Sequence, residues 1–291
     1  MSFDIDLPDF RVKPGSKVRL KSIDTDSTGH YDSKDTAKKH LRQGVEVLRE
    51  QQEMLYAQDS QALLLVFQAM DGAGKDSTIE HVMSGVNPQG CQVFSFKQPS
   101  AEDLDHDFLW RTAKCLPERG RIGIFNRSYY EETLVVRVHP EYLDKQRLPR
   151  HLTTDRMWDD RFEDIRNWEK YLTRNGTVIR KFYMHVSKEE QKRRFLARLD
   201  EPEKNWKFSA ADVKERALWD DYRRAYEDML GATSTTHAPW YVIPADHKWF
   251  ARLAVADIII DTLRSMKLHY PKLSKESRAG LDQARQLLEN E

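Results

Sequence analysis

Apolar and polar positions along this chain fall into helical and strand-like stretches that alternate. From about Ser33, the residues Ala37, His40, Leu41, Val45, Leu48 and Leu55 recur near helical spacing with charged residues between them. This predicts an amphipathic helix through about Tyr56, with one face that must dock on something. Five short apolar runs follow, Leu63 to Phe67, Gln92 to Phe96, Ile122 to Phe125, Val178 to Met184 and Trp240 to Ile243, separated by helical patterns. That alternation predicts an α/β fold of three layers, a five-stranded parallel sheet flanked by helices on both faces. Ser100 to Asp103 carries a helix N-terminal signal, for a helix running to Leu116 and stopped by Pro117 and Gly120. Another helix is predicted from Thr154 to Leu172, in which Trp158, Phe162, Ile165, Trp168 and Leu172 form a core stripe.

The two ends differ from this middle. The first thirty or so residues mix prolines, glycines and charges with little periodicity and read as an arm laid across a neighbouring surface, while Leu281 to Leu288 reads as a short amphipathic helix, a tail or an oligomer contact. The expected organisation is an N-terminal arm and helix over residues 1–60, a catalytic domain over 61–270 and a tail helix over 271–291.

Composition narrows the function classes. A chain of 291 residues can bury a substantial core as one large domain. Lys plus Arg and Asp plus Glu are both 47, so no net field draws the molecule to nucleic acid or membrane, and any anion site must be local. Cys91 and Cys115 lack the spacing of a metal site and offer no disulfide framework, which fits a reducing compartment. The first residues lack a basic and then apolar leader, and no apolar run approaches the about 18 residues of a membrane span, so a soluble cytoplasmic protein is expected.

The candidate chemistry begins after Leu63 to Val66, where Phe67-Gln-Ala-Met-Asp-Gly-Ala-Gly-Lys-Asp-Ser77 reads as a phosphate-binding loop. A strand that ends in a glycine-rich turn and restarts as a helix aims backbone N–H groups and the positive helix end at one point. Gly72 and Gly74, with Ala73 between them, let the backbone curl, and Lys75 adds a movable charge. The pattern departs from G-x-x-x-x-G-K-[ST]: Ala69 stands at the first glycine and Asp76 at the metal-binding hydroxyl, with Ser77 and Thr78 as near substitutes. A carboxylate at Asp71 would repel a bare phosphate, so it suits a metal ligand, a partner of one, or an acid/base.

Asn126, Arg127 and Glu131 leave the end of the third strand towards that loop, in the place of a Walker B segment whose usual aspartate is here Asn126. A neutral amide offers Mg²⁺ no charge, so Glu131, with Glu132 second, is the carboxylate expected to supply it. A dense basic stretch follows: Lys188, Lys192, Arg193, Arg194, Arg198, Lys204, Lys207, Lys214 and Arg216. Such runs are ordinarily solvated faces. Here Arg194 and Arg198 lie one helical turn apart and Asp200 to Glu203 can form a tip, so residues 188–216 are expected to make a helical lid over phosphates.

Residues 67 to 76, Val86 to Gly90, Ile124 to Glu132, Val135 to Val138, Pro202 to Phe208 and Ala238 to Pro244 together resemble the polyphosphate kinase 2 family, over about residues 10 to 270. The resemblance implies a P-loop kinase-like fold and reversible transfer of a phosphoryl group between inorganic polyphosphate and a nucleotide with Mg²⁺ or Mn²⁺. It implies that Asp71 and Lys75 are essential, that Arg127 and Arg137 face the phosphate chain, and that Arg194, Arg198, Lys204 and Lys207 belong to the lid. Asn126 followed by Glu131 is similar to the class III branch, which implies AMP and ADP as acceptors, ATP as product, and guanine nucleotides as candidates. Mg²⁺ is expected between Asp71 and Glu131, and the family suggests a homodimer or homotetramer. Two rivals share parts of this pattern: an ATP-dependent monophosphate kinase resembling thymidylate kinase, and a GTP-binding switch, against which stands the lack of an Asn-Lys-x-Asp segment.

Overall fold

Five strands, β1 (Ala62–Ala69), β2 (Cys91–Ser95), β3 (Ile122–Asn126), β4 (Thr177–His185) and β5 (Trp240–Pro244), form one sheet in the order β2-β3-β1-β4-β5. Every pairing is parallel. The structure is a computed structural model and describes residues 9–291 apart from the Lys275 side chain; the first eight residues of the expected arm lie outside the described residues. β1 is central and buried at each position up to Gln68, which is why its sequence is a continuous apolar run rather than an alternation. The switch point of the sheet lies between β1 and β3, where the phosphate loop and Asn126 emerge together, with Phe67 opposite Asn126.

Eleven α-helices among the described residues complete the fold: α1 (Lys34–Gln58), α2 (Lys75–Val82), α3 (Ala101–Leu104), α4 (Trp110–Ala113), α5 (Val135–Val138), α6 (Met157–Arg174), α7 (Lys188–Asp200), α8 (Ala210–Ala217), α9 (Trp219–Thr233), α10 (Lys248–Ser265) and α11 (Lys275–Glu289). Consecutive residues of β4 show the two helical layers, because neighbouring side chains on a strand point to opposite faces. The Arg180 Nε donates to Thr262 Oγ1 of α10, whereas the Lys181 Nζ donates to Glu169 of α6. α1 and α2 pack on α10, and α5, α6 and α9 pack together. α1 is capped by Ser33, whose hydroxyl accepts from the Asp35 N–H, and turns Ala37, Leu48 and Leu55 inward as its spacing required.

The single helix expected from Ser100 to Leu116 is instead two short helices, α3 and α4. Ser100 and Asp103 close a reciprocal capping box on α3. The Asp107 carboxylate then accepts from the Leu109 N–H at 2.9 Å, a local turn that competes with helix continuation. α6 begins at Met157 rather than Thr154, and Phe162, Ile165 and Leu172 of its stripe are buried while Trp158 and Trp168 are partly exposed.

α7, a 3-10 turn at Pro202–Lys207 and α8 form the helical lid. Pro202 ends the first arm. Asn205 fastens the tip by donating to the Arg198 and Leu199 carbonyls at 2.7 and 3.0 Å. The described part of the N-terminal arm adds an antiparallel bridge to the outer edge of β5, where Arg11 meets Tyr241 and Val12 donates to the Trp240 carbonyl. α11 stands clear of the core, with Leu281, Leu287 and Leu288 exposed. No helix among the described residues is long and apolar enough to cross a membrane.

Candidate active site

The turn after β1 owes its shape to two glycines with positive φ, Gly72 at 78° and Gly74 at 93°. A Cβ on Gly72 would also meet the Phe195 ring of the lid at 2.9 Å, so a side chain there would clash as well as strain the backbone. α2 starts at Lys75, and its first turn faces the crevice. Ser77 and Thr78 both donate to the Gly74 carbonyl, at 3.0 and 3.1 Å. Thr78 is buried, so the structure does not bring its hydroxyl to the cavity; it fastens the helix start instead.

Lys75, Asp76 and Asn126 form one cluster. The Lys75 ammonium donates to Asn126 Oδ1 and lies 3.4 Å from Asp76 Oδ1, and Asn126 Nδ2 donates to the same Asp76 oxygen at 2.7 Å. Burial pulls the Lys75 ammonium below its ordinary pKa, with Asp76 opposing. The Asp76 carboxyl ends below its usual range, because Lys75 and the Asn126 hydrogen bond outweigh its desolvation.

Arg127 forms the other cluster. Its φ of 63° is in the left-handed region, a costly conformation for a residue with a side chain. There its guanidinium bridges two carboxylates, Asp71 at 3.1 Å and Glu131 at 3.6 Å. Glu131 raises the Arg127 pKa, against burial and with help from Asp71. Glu131 itself accepts from Gln68 Nε2 at 2.9 Å. Burial lifts its carboxyl above the ordinary value despite Arg127 and Gln68. The folded protein therefore holds that proton more tightly than the unfolded chain does. This contribution to stability is complete below the ordinary carboxylate pKa and lost as pH rises through the lifted one. Glu131→Gln cannot ionise, so its melting temperature should gain on the wild type as metal-free buffer is taken from about pH 4 to pH 8. Parallel melting curves would show instead that Arg127 and Gln68 offset the desolvation fully.

Arg194 does not point at open space. All five of its N–H donors are committed: Nε to Glu190, Nη1 to the Gly72 and Ala73 carbonyls at 3.0 and 2.8 Å, and Nη2 to the Ala245 and Asp246 carbonyls at 2.6 and 2.9 Å. It is a buried brace holding the phosphate loop to the turn after β5. Arg194→Ala should lower unfolding free energy by about 2–4 kcal/mol, since buried carbonyls lose a charged donor. Arg194→Lys should recover less than half, because an ammonium cannot span both loops. Urea denaturation reads both, with hydrogen exchange at Gly72 to Lys75 reporting the freed loop.

The other expected residues are dispersed. Arg198 binds Asp212 at 3.2 Å within the lid, Lys204 pairs with Glu201 at the tip, and Lys207 lies 5.0 Å over the exposed Trp206 ring. Arg137 is paired with Asp228 of α9 at 2.7 Å, and its other terminal nitrogen is buried with no partner among the described residues.

A cavity of about 140 Å³ has Asp71, Arg127 and Glu131 on one wall, while Lys75, Asp76, Asn126 and the expected lid cations Arg194, Arg198, Lys204 and Lys207 lie outside its lining. Opposite them stand residues that spacing alone did not flag: Gln191, Asp212 and Glu215 from the lid arms, and Trp219, Tyr222 and Tyr226 from α9. The aromatic residues recur at three- and four-residue steps, a signal that could have been read. Gln191 donates to the Asp71 carbonyl at 2.8 Å, and Tyr222 donates to Glu215 at 2.6 Å. Burial, then the like charge of Asp71, lifts the Asp212 carboxyl. Four carboxylates, Asp71, Glu131, Asp212 and Glu215, face two guanidinium groups, Arg127 and Arg216. The carboxylates outnumber the guanidinium groups in this lining.

Fold and site together define a phosphoryl-transfer enzyme of the P-loop kinase kind: a phosphate loop at the switch point, a lysine and an arginine converging on it, and a helical lid. Residues 31–271 match the family described as Polyphosphate kinase 2 (PPK2), and the chain belongs to that family. It is 55% identical over 280 residues to an "ADP-polyphosphate phosphotransferase" of Rhodopseudomonas palustris, covering 96% of this chain and 97% of that one. It is 42% identical to an "AMP/ADP-polyphosphate phosphotransferase" of Meiothermus ruber, covering 90% of this chain and 95% of the relative. The crystal structure of polyphosphate kinase 2 from Arthrobacter aurescens TC1 superposes with a TM-score of 0.87 at 39% identity, over 95% of each chain.

Proposed function

We propose that the enzyme moves the terminal phosphoryl group of inorganic polyphosphate to AMP and to ADP, reversibly, by the dual-acceptor mode of the class III branch. The observation that carries this reading is the family match over residues 31–271 on a chain whose loop lysine, Lys75, is held by Asn126 beside the Arg127–Glu131 pair. The Meiothermus ruber relative, named for both acceptors, supports the dual range.

In the forward step, an oxygen of the nucleotide's terminal phosphate forms a new bond to the last phosphorus of the polymer. The bridging oxygen keeps the electron pair of the broken bond, and the polymer leaves one unit shorter. The attacking oxygen is already ionised, so no general base is obligatory, and positioning and charge stabilisation supply the rate. Lys75 and Arg127 meet the charge on the phosphoryl oxygens, the loop amides orient it, and the lid excludes water. Arg198, Lys204 and Lys207 of the lid, and Arg137 of α5, bind the polymer.

The donor set fits Mg²⁺ or Mn²⁺. Asp71 is about two-fifths exposed beside Glu131, both are hard oxygen donors, and no group of three His, Cys, Asp or Glu among the described residues makes a cage. Mg²⁺ is ordinarily bound by one or two carboxylates together with substrate phosphates. Bound there, the ion would offset the excess carboxylate charge and draw phosphates towards Arg127. Assembly as a homodimer or homotetramer, and the division into arm, catalytic domain and tail, belong to the same proposal.

The test is purified protein with Mg²⁺, polyphosphate and either AMP or ADP, resolved by chromatography, with ATP as sole donor in parallel and a chelator control. ATP from both acceptors supports the reading. ATP from ADP alone removes the dual range, and transfer from ATP alone assigns a monophosphate kinase.

A further inference from the structure

The described arm has a second pattern. In Arg11-Val-Lys-Pro-Gly-Ser-Lys-Val-Arg-Leu-Lys21, cations recur at every second position on either side of a turn. Val12 and Leu20 are buried and Val18 packs against the core, which leaves Arg11, Lys13, Lys17, Arg19 and Lys21 exposed along one outer ridge. The strap is fixed rather than loose. A Cβ on Gly231 of α9 would lie 2.7 Å from the Ser16 carbonyl, the Ser234 hydroxyl donates to the Val12 carbonyl at 2.7 Å, and Glu227 accepts from the Leu20 N–H at 2.8 Å.

A groove of about 480 Å³ runs between this strap and α9, lined by Lys17, Arg19, Lys21 and Arg223. Its two acids are already engaged, Glu227 by Arg223 and Asp228 by Arg137. No ion pair among the described residues involves Lys13, Lys17, Arg19 or Lys21. Lys17, Arg19 and Lys21 therefore set up a local positive field with no ion-pair partner among the described residues, in a molecule of zero net charge. Positive charge continues from it to the active site. The Lys188 Nζ lies 6.0 Å over the ring of Trp219, a residue of the cavity, and Arg223 of the groove pairs with the neighbouring Asp220 at 3.0 Å, whose carboxyl Lys21 and Lys188 also pull below its usual range. Lys188 opens the lid helix α7, and its carbonyl accepts from Arg216, which lines the catalytic cavity.

We propose that this ridge and groove form a secondary subsite that holds the distal phosphates of a long polyphosphate chain whose end lies in the cavity. The inference rests on the polyphosphate reading above. In the extended stretch before the 3-10 turn at Leu20–Ser22, Lys17 and Arg19 are about 7 Å apart. Phosphates joined through single bridging oxygens are spaced more closely, so each cation meets one. A nucleic acid fits less well, because no aromatic side chain lines the groove for base stacking.

The test is the variant Lys17→Ser/Arg19→Ser/Lys21→Ser, assayed with ADP and polyphosphate of several tens of units against a chain of a few units. The KM for the long polymer should rise about tenfold, as three exposed phosphate contacts are lost, and its salt dependence should weaken. The KM for the short chain, kcat and the melting temperature should not change. An unchanged ratio of long-chain to short-chain KM overturns the subsite while leaving the activity in place. If the wild type uses no polymer of any length, the polyphosphate reading falls and the subsite with it. Loss of single-stranded oligonucleotide binding with an unchanged long-chain KM would assign the ridge to nucleic acid and overturn the proposal.

Discussion

Lys75→Ala should lower turnover by about 10²–10³-fold or more at saturating polyphosphate and nucleotide, with the fold intact. Its ammonium is the mobile cation of the loop, placed at the start of α2 and touching both Asn126 and Asp76. Because the phosphoryl group carries its charge on peripheral oxygens, a positive group aimed there stabilises the transition state more than the spread-out ground state. The variant should stay folded. Asp76 is mostly exposed and retains Asn126 as partner, and the Asn126 Oδ1 that loses the ammonium is only part-buried; a change in stability within about 1 kcal/mol is expected. Burial also lowers the Lys75 pKa, so the wild-type rate should fall on the alkaline side earlier than an ordinary lysine would dictate. Near-normal turnover in a folded Lys75→Ala protein would remove Lys75 from the reaction.

The second large effect lies behind the site. The Lys181 side chain is fully buried on β4, and its ammonium donates to Glu169 Oε2 at 2.7 Å, to Tyr130 Oη at 2.9 Å and to the Thr233 carbonyl at 2.8 Å. Tyr129 and Tyr130 both donate to the other Glu169 oxygen, at 2.9 and 2.8 Å. Burial pushes Lys181 down to about 8, against the pull of Glu169, so the ammonium is still charged at neutral pH. Lys181→Met would leave the Glu169 carboxylate buried without its counter-ion and should cost about 3–5 kcal/mol of unfolding free energy. Adding Glu169→Gln removes the stranded charge, so the double variant should be more stable than Lys181→Met alone. Guanidinium unfolding of the wild type, Lys181→Met, Glu169→Gln and the double variant decides this, and additive losses would mean that the pair is not coupled. The tyrosines immediately precede Glu131 in the chain, so the network also fixes where that carboxylate and Arg127 leave β3.

Much of this architecture was legible in the chain. The apolar runs marked all five strands to within one or two residues, and most clearly β1, β3 and β5, because a strand buried on both faces must be continuously apolar. The phosphate loop was legible because few backbones other than a glycine-rich turn can present several N–H groups at once. Local competition was less visible. Asp107 diverts the chain between α3 and α4 with one side-chain hydrogen bond, which a helical apolar period does not record.

The basic stretch shows where the candidate site became illegible. An arginine run has the same spacing whether its members are solvated, facing phosphates or bracing a loop. Arg194 is committed to four carbonyls from two distant loops, whereas Arg193, one residue earlier, is exposed and pairs with Glu190. Likewise Lys181 lies within an apolar strand, and its charge is explained only once α6 brings Glu169 against it.

By itself, then, the sequence determined the elements with a local period or a local backbone demand: the strands, the amphipathic helices, the glycine turn ending in Lys75, and the Asn126 to Glu131 exit from β3. Tertiary structure alone decided which charges meet, because long side chains choose partners from segments far apart in the chain. It set Arg127 between Asp71 and Glu131, turned Arg194 onto the loop, and gathered Asp212 and Glu215 from the lid into the cavity wall. Desolvation and Coulomb energy depend on that assembled environment, and no spacing rule encodes them.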